Sequence, residues 1–134
     1  MKTLMILKPD TLKRKVAGRI LAKVEDAGFV VRRLELVHLD EARARKFYAV
    51  HEGKPFMDEL VSYMTSGPCV PMALEAENAV PRLRELMGAT NPQNAAPGTI
   101  RQEFGVDIQT NSVHGSDSPE NAAVEITFFF PGEA

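Results

Sequence analysis

The sequence lacks several features that define large classes of proteins. Among its 134 residues it has one cysteine, Cys69, and no apolar run longer than a few residues. A lone cysteine excludes an internal disulfide, and together with three scattered histidines it makes a poor zinc site. Short apolar runs exclude a transmembrane helix, and the first residues lack the longer apolar segment of a signal peptide. These absences predict a soluble, cytoplasmic protein.

The chain also lacks an excess of basic charge. It carries 16 Lys and Arg residues against 18 Asp and Glu residues, a net charge of -2. Nucleic acid is therefore not expected as the main partner. A small anionic ligand stays compatible with this balance, because local geometry sets the local potential.

Glycine-rich phosphate-binding motifs are missing as well. The sequence contains no G-x-x-x-x-G-K-[ST] and no G-x-G-x-x-G, and it lacks the hydrolase motifs G-x-S-x-G and H-E-x-x-H. A bound phosphate would therefore have to be held by side chains rather than by a glycine-rich loop.

The length and the periodicity of apolar residues predict one α+β domain, residues 1–134. Strands are predicted at 4–8, 29–39, 69–74 and within 111–116. Helices are predicted at 16–27, 40–50, 56–65 and 77–87, and from Ser118 to Pro131. Asp40 and Ser118 are predicted to cap the starts of their helices, and Gly88 is predicted to end the helix before it. Pro71 indicates an edge position or a bulge, and 89–110 is expected to be a long loop. The order reduces to a ferredoxin-like βαββαβ plan, an antiparallel sheet with helices covering one face and extra helices.

The densest polar run of the chain, residues 111–118, contains His114. A histidine followed by Gly, Ser, Asp and Ser has hydrogen-bond partners close by, and its ring is neutral in part at cell pH. Neutral imidazole can attack a phosphorus centre and hold the phosphoryl group as an intermediate. The alternative from this run alone is a helix-capping loop with an exposed histidine.

The run Asn111-x-x-His114-Gly115-Ser116-Asp117-Ser118 resembles the active-site motif of the nucleoside diphosphate kinase family. Further segments resemble that family in the same order along the chain, from about residue 3 to residue 130. They are Lys8-Pro9-Asp10, Phe47-Tyr48, Lys54-Pro55-Phe56, Thr65-Ser66-Gly67-Pro68, Arg84 through Pro92, and Pro97-Gly98-Thr99-Ile100-Arg101.

The resemblance implies roles for particular residues. His114 is implied as the phosphorylated histidine. The residues implied to act beside it are Lys8, Tyr48, Asn111, Ser116 and Glu125. Those implied to bind the nucleotide are Lys8, Phe56, Leu60, Arg84, Thr90, Arg101 and Asn111. Asp117 is implied to place Mg²⁺ through water, with the ion held mainly by the nucleotide phosphates.

These residue types suit the implied roles. Arg84, Thr90 and Arg101 can bind phosphate oxygens, and the Phe56 ring offers a stacking face that tolerates any base. Each also has a plainer interpretation, such as core packing for the aromatic residues or a surface ion pair for Arg84.

The implied activity is transfer of the γ-phosphoryl group of a nucleoside triphosphate, usually ATP, to a nucleoside diphosphate. The mechanism is ping-pong through phospho-His114, and it maintains nucleoside triphosphate pools. The resemblance also implies a homo-oligomer, a tetramer or hexamer built from dimers, with 89–110 as a candidate contact region. The alternative is a nucleotide-binding regulatory or interaction module that has no catalytic histidine.

Overall fold

A computed structural model describes residues 1–49, 52–108 and 110–134. Within these ranges, four strands form one antiparallel sheet in the order β2-β3-β1-β4. The strands are β1 (Lys2–Leu7), β2 (Val30–Leu34), β3 (Val70–Glu75) and β4 (Val113–Gly115). This order and the connecting helices confirm the predicted α+β, ferredoxin-like fold.

The predicted capping residues begin two of the helices. Asp40 accepts a hydrogen bond from the Arg43 amide at 2.8 Å, and Ser118 accepts one from the Asn121 amide at 3.1 Å. In the parts of the chain that are described, no helix has both the length and the apolar content that crossing a membrane requires. The helices are α1 (Pro9–Lys13), α2 (Ala17–Asp26), α3 (Glu41–Phe47), α4 (Met57–Met64), α5 (Ala79–Met87), α6 (Ile100–Phe104) and α7 (Pro119–Phe129).

Both faces of β1 are buried, because helices lie on each side of the sheet. Met5 and Leu7 belong to a core with α2 and α5, the two helices of the βαββαβ plan. Leu4 and Ile6 point to the opposite face and pack with α3, α4 and α7. The predicted cover of one face is thus present, and the extra helices cover the other.

The second strand is shorter than predicted. It ends at Leu34 rather than at residue 39, and its pairing with β3 is irregular between Val31 and Arg33. Beyond it, Val37 forms an isolated bridge with Cys69. The helix predicted to reach Val50 ends at Phe47, and Val50 itself lies outside the described residues.

The predicted edge position of Pro71 is wrong, since β3 lies between β2 and β1. Pro71 is opposite Ile6, and its carbonyl accepts a hydrogen bond from the Glu35 amide. In an antiparallel pair the amide and carbonyl of a residue face the same side. The missing N–H of Pro71 therefore faces the chain beyond the end of β2 at Leu34, where no ladder bond is lost.

The long loop predicted over 89–110 contains helical turns. Asn91 caps a 3-10 turn at Pro92–Asn94, and the Thr99 side chain accepts a hydrogen bond from the Gln102 amide at the start of α6. The five-residue helix α1, which begins at Pro9, is likewise absent from the predicted elements. Helices this short have too few turns to create a periodic apolar pattern.

Candidate active site

A cavity of about 750 Å³ opens where β1 and β4 end, beside α3, α5 and α7. Its size is typical of a site for one small-molecule ligand. All the predicted site residues except Ser116 line it: Lys8, Tyr48, Phe56, Leu60, Arg84, Thr90, Arg101, Asn111, His114, Asp117 and Glu125. Residues from distant parts of the sequence therefore meet in one place.

Strand pairing directs His114 toward α7. His114 lies opposite Ile6 on β1, so it shares the sheet face that α7 covers. Its Nε2 lies 2.9 Å from Glu125 Oε1, and the buried Ser116 hydroxyl donates to the same oxygen at 2.7 Å. A carboxylate only accepts hydrogen bonds, so Nε2 carries the proton of the neutral ring. The lone pair of Nδ1 is then left to act as a nucleophile.

Two aromatic rings flank the histidine. The centroid of the Phe47 ring lies 5.5 Å from that of His114, and the centroid of the Tyr48 ring lies 6.3 Å away, both in edge-on geometry. Burial of Tyr48 raises the pKa of its hydroxyl, which stays protonated. The rings limit the orientations of the imidazole, and Tyr48 lines the cavity with its hydroxyl group buried.

Lys8 and Asn111 form a buried polar pair on the floor of the cavity. Lys8 Nζ donates to Asn111 Oδ1 at 2.8 Å, and Asn111 Nδ2 donates to the Thr90 carbonyl at 3.1 Å. Burial and the nearby Arg101 lower the pKa of Lys8 to about 8, against the opposing effect of Asp10. The free site thus carries a lysine charge that an anionic ligand would stabilise.

Two hydrogen bonds to backbone carbonyls hold Arg101, while its Nε donor is left unpaired within the part of the chain that the structure describes. Its Nη1 donates to the Gly88 carbonyl at 3.0 Å, and its Nη2 donates to the Val113 carbonyl at 2.9 Å. Its buried Nε meets no hydrogen-bond partner among the residues described. Burial and the neighbouring Arg84 lower the pKa of Arg101 to about 10. Arg101 thus offers an unsatisfied donor close to the cationic side chains of Lys8 and Arg84. Such a set fits a bound phosphate group.

The mouth of the cavity is apolar and exposed. Phe56 is 43% exposed, Ile108 60% and Val124 69%, and all three line the cavity together with Leu60. Ile108 and Val124 were not predicted as site residues. Their apolar character in exposed segments could have indicated a binding surface. Ile108 lies in a segment predicted as a polar loop, and Val124 lies on an exposed part of a helix.

The carboxylates of the cavity suit a metal ion that is held mainly by the phosphates of a bound substrate. Glu125 is engaged with His114, while Asp117 is exposed and accepts from Asn121 Nδ2 at 2.6 Å. This hydrogen bond lowers the pKa of Asp117. The described ranges contain no cluster of three metal-ligating side chains. Mg²⁺ usually keeps several waters and binds one or two carboxylates plus substrate phosphates, and this cavity matches that pattern.

Comparison with known proteins decides the family. The family model described as nucleoside diphosphate kinase matches residues 1–134. The chain belongs to the nucleoside diphosphate kinase family. It is 53% identical to a nucleoside diphosphate kinase of Nitratidesulfovibrio vulgaris (strain DP4) over 129 residues, which are 96% of this chain and 93% of that protein.

Solved nucleoside diphosphate kinase structures share the fold. The enzyme of Aquifex aeolicus superposes with a TM-score of 0.96 at 42% identity, covering 98% of this chain and 95% of that one. The halophilic enzyme of Halobacterium salinarum, solved in complex with CDP, gives a TM-score of 0.93 at 42% identity, covering 97% and 87%. As a nucleoside diphosphate kinase, the protein is a nucleotide-binding phosphotransferase.

Proposed function

We propose that the protein transfers the γ-phosphoryl group of ATP or another nucleoside triphosphate to a nucleoside diphosphate by a ping-pong mechanism through phospho-His114. The observation that carries the proposal is the chain from Ser116 through Glu125 to His114 at the wall of a cationic cavity. Such a chain orients a nucleophilic imidazole and sets its tautomer. The reaction would maintain nucleoside triphosphate pools, and we propose the cytoplasm as its location.

The first half-reaction forms a bond between His114 Nδ1 and the γ-phosphorus. The bond from that phosphorus to the β,γ-bridging oxygen breaks, and the nucleoside diphosphate leaves with the electron pair. Glu125, bonded to Nε2, stabilises the positive charge that develops on the ring. Arg84, Arg101 and Lys8 are placed to stabilise the charge on the phosphate oxygens.

The second half-reaction reverses these bonds with a new partner. A terminal β-phosphate oxygen of the acceptor attacks the phosphorus, and the bond to Nδ1 breaks. The CDP complex of the Halobacterium salinarum relative supports a nucleoside diphosphate as the ligand. In both halves the roles proposed for Phe56 and Leu60 at the apolar mouth are contacts with the base, whereas Tyr48, Thr90 and Asn111 contact the phosphates or sugar.

We propose Mg²⁺ as the metal of the reaction, bound mainly by the nucleotide phosphates. When bound, it would neutralise phosphate charge and hold the chain of phosphates in one shape. Asp117, which is exposed and kept ionised by its hydrogen bond from Asn121, would hold one of its waters.

We also propose that the protein acts as a homo-oligomer built from dimers. The outer edge of β2 supports this, because β2 ends the sheet and its exposed apolar side chains include Val30 and Leu34. An exposed apolar edge strand is a ready surface for pairing with another chain. Tetramer and hexamer are both compatible with it, and 89–110 is the other candidate contact region.

Intact-protein mass after mixing with ATP and Mg²⁺, without an acceptor, tests the phosphohistidine. We expect an added phosphoryl group that is stable at alkaline pH, lost in acid, and discharged by GDP. The variant His114→Ala should carry none. The matched control is His38→Ala, because His38 is an exposed histidine that contacts the Thr65 carbonyl and does not line the cavity.

An outcome without an adduct, with ATP binding still detectable, would contradict the proposed mechanism. It would favour the alternative, a nucleotide-binding regulatory or interaction module, in which His114 has no chemical role. An adduct that survives in His114→Ala would place the nucleophile elsewhere.

A further inference from the structure

Asp10 is a buried carboxylate outside the cavity lining. It is 6% exposed and follows Lys8 by two residues, in the first turn of α1. A buried charge needs partners, and three side chains supply them. The Tyr63 hydroxyl donates to Oδ1, while Arg14 Nη1 at 3.3 Å and the Ser112 hydroxyl at 3.4 Å donate to Oδ2. Asp10 is therefore fixed in place and also bonded to the segment that carries the active-site residues.

Ser112 occupies an unfavourable backbone conformation. Its φ is +75°, its side chain is fully buried, and the Val113 amide donates to the Asn111 carbonyl at 2.9 Å. A hydrogen bond from residue i+2 to residue i across a central residue of positive φ marks a γ-turn of the rare, strained kind. Glycine adopts positive φ freely, whereas a residue with a Cβ atom does so only where its surroundings hold it.

The bonds of Ser112 join the two halves of the nucleotide site. Its carbonyl accepts from the Lys8 amide at 2.9 Å, and its hydroxyl donates to Asp10. Lys8 Nζ in turn donates to Asn111 Oδ1. The strained turn thus sets the distance between Lys8 and Asn111, and His114 follows two residues later.

We propose that Asp10, held by Tyr63, is a positioning residue for phosphoryl transfer, because its bond to the Ser112 hydroxyl keeps the γ-turn at residues 111–113 closed. The proposal rests on the proposed function of the same site. In this proposal Asp10 does not contact the substrate, and its effect is to fix the positions of Asn111 and His114.

Two substitutions at one position separate this role from a merely structural one. Ser112→Ala and Ser112→Gly both remove the hydroxyl, but only alanine retains the cost of a positive φ. We expect kcat to fall at least about tenfold in Ser112→Ala, with KM changed less than about threefold, because small misplacements of reacting groups slow transfer strongly. In Ser112→Gly kcat should stay within about threefold of the wild-type value. Equal values for the two variants would overturn the proposal.

The same logic applies to the carboxylate. Asp10→Ala should lower kcat at least as much as Ser112→Ala does, and the double variant Asp10→Ala with Ser112→Gly should recover most of the loss. A double variant as slow as Asp10→Ala would contradict the proposal. Ser62→Ala, on the exposed side of α4, is the matched control and should match the wild type. If Asp10→Ala does not fold, Tyr63→Phe takes its place, since it removes one hydroxyl from the same carboxylate.

A readout independent of activity keeps this proposal distinct from the proposed function. The Val113 amide is bonded within the γ-turn, so its hydrogen exchange reports closure of the turn. We expect exchange of this amide to be at least about tenfold faster in Ser112→Ala than in the wild type, while amides of β1 are unchanged. An unchanged Val113 amide would overturn the positioning role even in an active enzyme. Faster exchange of this amide in Ser112→Ala, found together with a wild-type protein that transfers no phosphoryl group, would support the role of Ser112 in closing the turn and refute the proposed function instead.

Discussion

At the scale of single residues, the site contains cationic side chains that the fold buries away from water. Lys8 is 8% exposed, Arg101 is 7% exposed, and the pKa of each is lowered by burial. The two charges repel each other, and Asp10 offsets only part of that cost for Lys8. A polyphosphate entering the cavity would offset this repulsion, and the gain in electrostatic free energy favours binding of an anion.

Titration of Lys8 should make the affinity for a phosphate ligand depend on pH. Its pKa of about 8 in the free protein means that Lys8 is protonated at lower pH and increasingly neutral above that value. Phosphate binding favours the protonated form and raises the pKa, so affinity should fall as pH rises through about 8, by up to about tenfold per pH unit. Calorimetric dissociation constants of ADP between about pH 7 and pH 9.5 would measure the slope.

The matched variant for this prediction is Lys8→Gln, which keeps a hydrogen-bond donor but does not titrate. Its affinity for ADP should be lower at neutral pH and should depend less on pH in the same range. A slope as steep in Lys8→Gln as in the wild type would assign the pH dependence to another group.

Residue types alone predicted most of the local chemistry but not its assembly. The nucleophilic character proposed for His114 was inferred from its polar surroundings in the sequence. The contact of Lys8 with Asn111 joins residues 103 apart, and nothing in either segment indicates it. Only the family resemblance implied that these two residues belong to one site. Asp10 and Ser112 were beyond sequence reasoning, because a strained φ leaves no trace in residue identity.

At the scale of elements, prediction succeeded where helices have caps and several turns. Asp40 and Ser118 are caps in the structure as predicted, and α2 lies within one residue of its predicted bounds at each end. The short helices α1 and α6 were missed, since five residues do not repeat a pattern. The strand β2 was predicted too long because apolar residues continue beyond its end at Leu34. Of these, Val37 forms only an isolated bridge, and Leu39 packs in the core without belonging to a strand.

The end of α5 shows how an element positions the site. Gly88, predicted to stop this helix, has φ +86°, and its carbonyl accepts from Arg101 Nη1. A Cβ atom at this position would lie 2.8 Å from Thr99 Cβ and 2.6 Å from its hydroxyl oxygen. The close approach of α5 to the start of α6 thus requires glycine, and that approach holds Arg101.

Gly88→Ala should therefore weaken both stability and the site. We expect a loss of roughly 1–3 kcal/mol in the free energy of unfolding from the backbone conformation alone, with a further loss from the contact with Thr99. Denaturant unfolding measures it. Gly18→Ala is the matched control, because nothing lies within 4 Å of the added methyl group and Gly18 is within α2. That variant should gain up to about 1 kcal/mol. Equal effects at the two positions would contradict the argument.

At the scale of the whole molecule, the sheet has one edge that serves the site and one that does not. The strand β4 at one edge carries His114, while β2 at the other exposes Val30 and Leu34. The organisation of residues 1–134 as a single domain, although it suits this sheet, stays a prediction. So do the oligomeric state and the number of subunits.

Substitutions in the two candidate contact regions distinguish them. Leu34→Glu, at a side chain that is 45% exposed on β2, should shift the molar mass measured by light scattering toward the monomer. Val106→Glu, at a side chain that is 56% exposed within 89–110, should leave the mass unchanged. The reverse result would assign the subunit contact to 89–110, and no change in either would place it on another surface.

The cavity that holds His114 has the volume of one ligand, about 750 Å³, and this has a consequence for metabolism. In the proposed ping-pong mechanism, donor and acceptor use it in turn, in the same pose, facing the same nitrogen of His114. The forward and the reverse turnover then use the same site in the same way, so the protein favours neither direction. Its net flux follows mass action among the nucleotides present, so the enzyme levels their phosphorylation ratios toward one common value. Any direction must come from the reactions that replenish ATP.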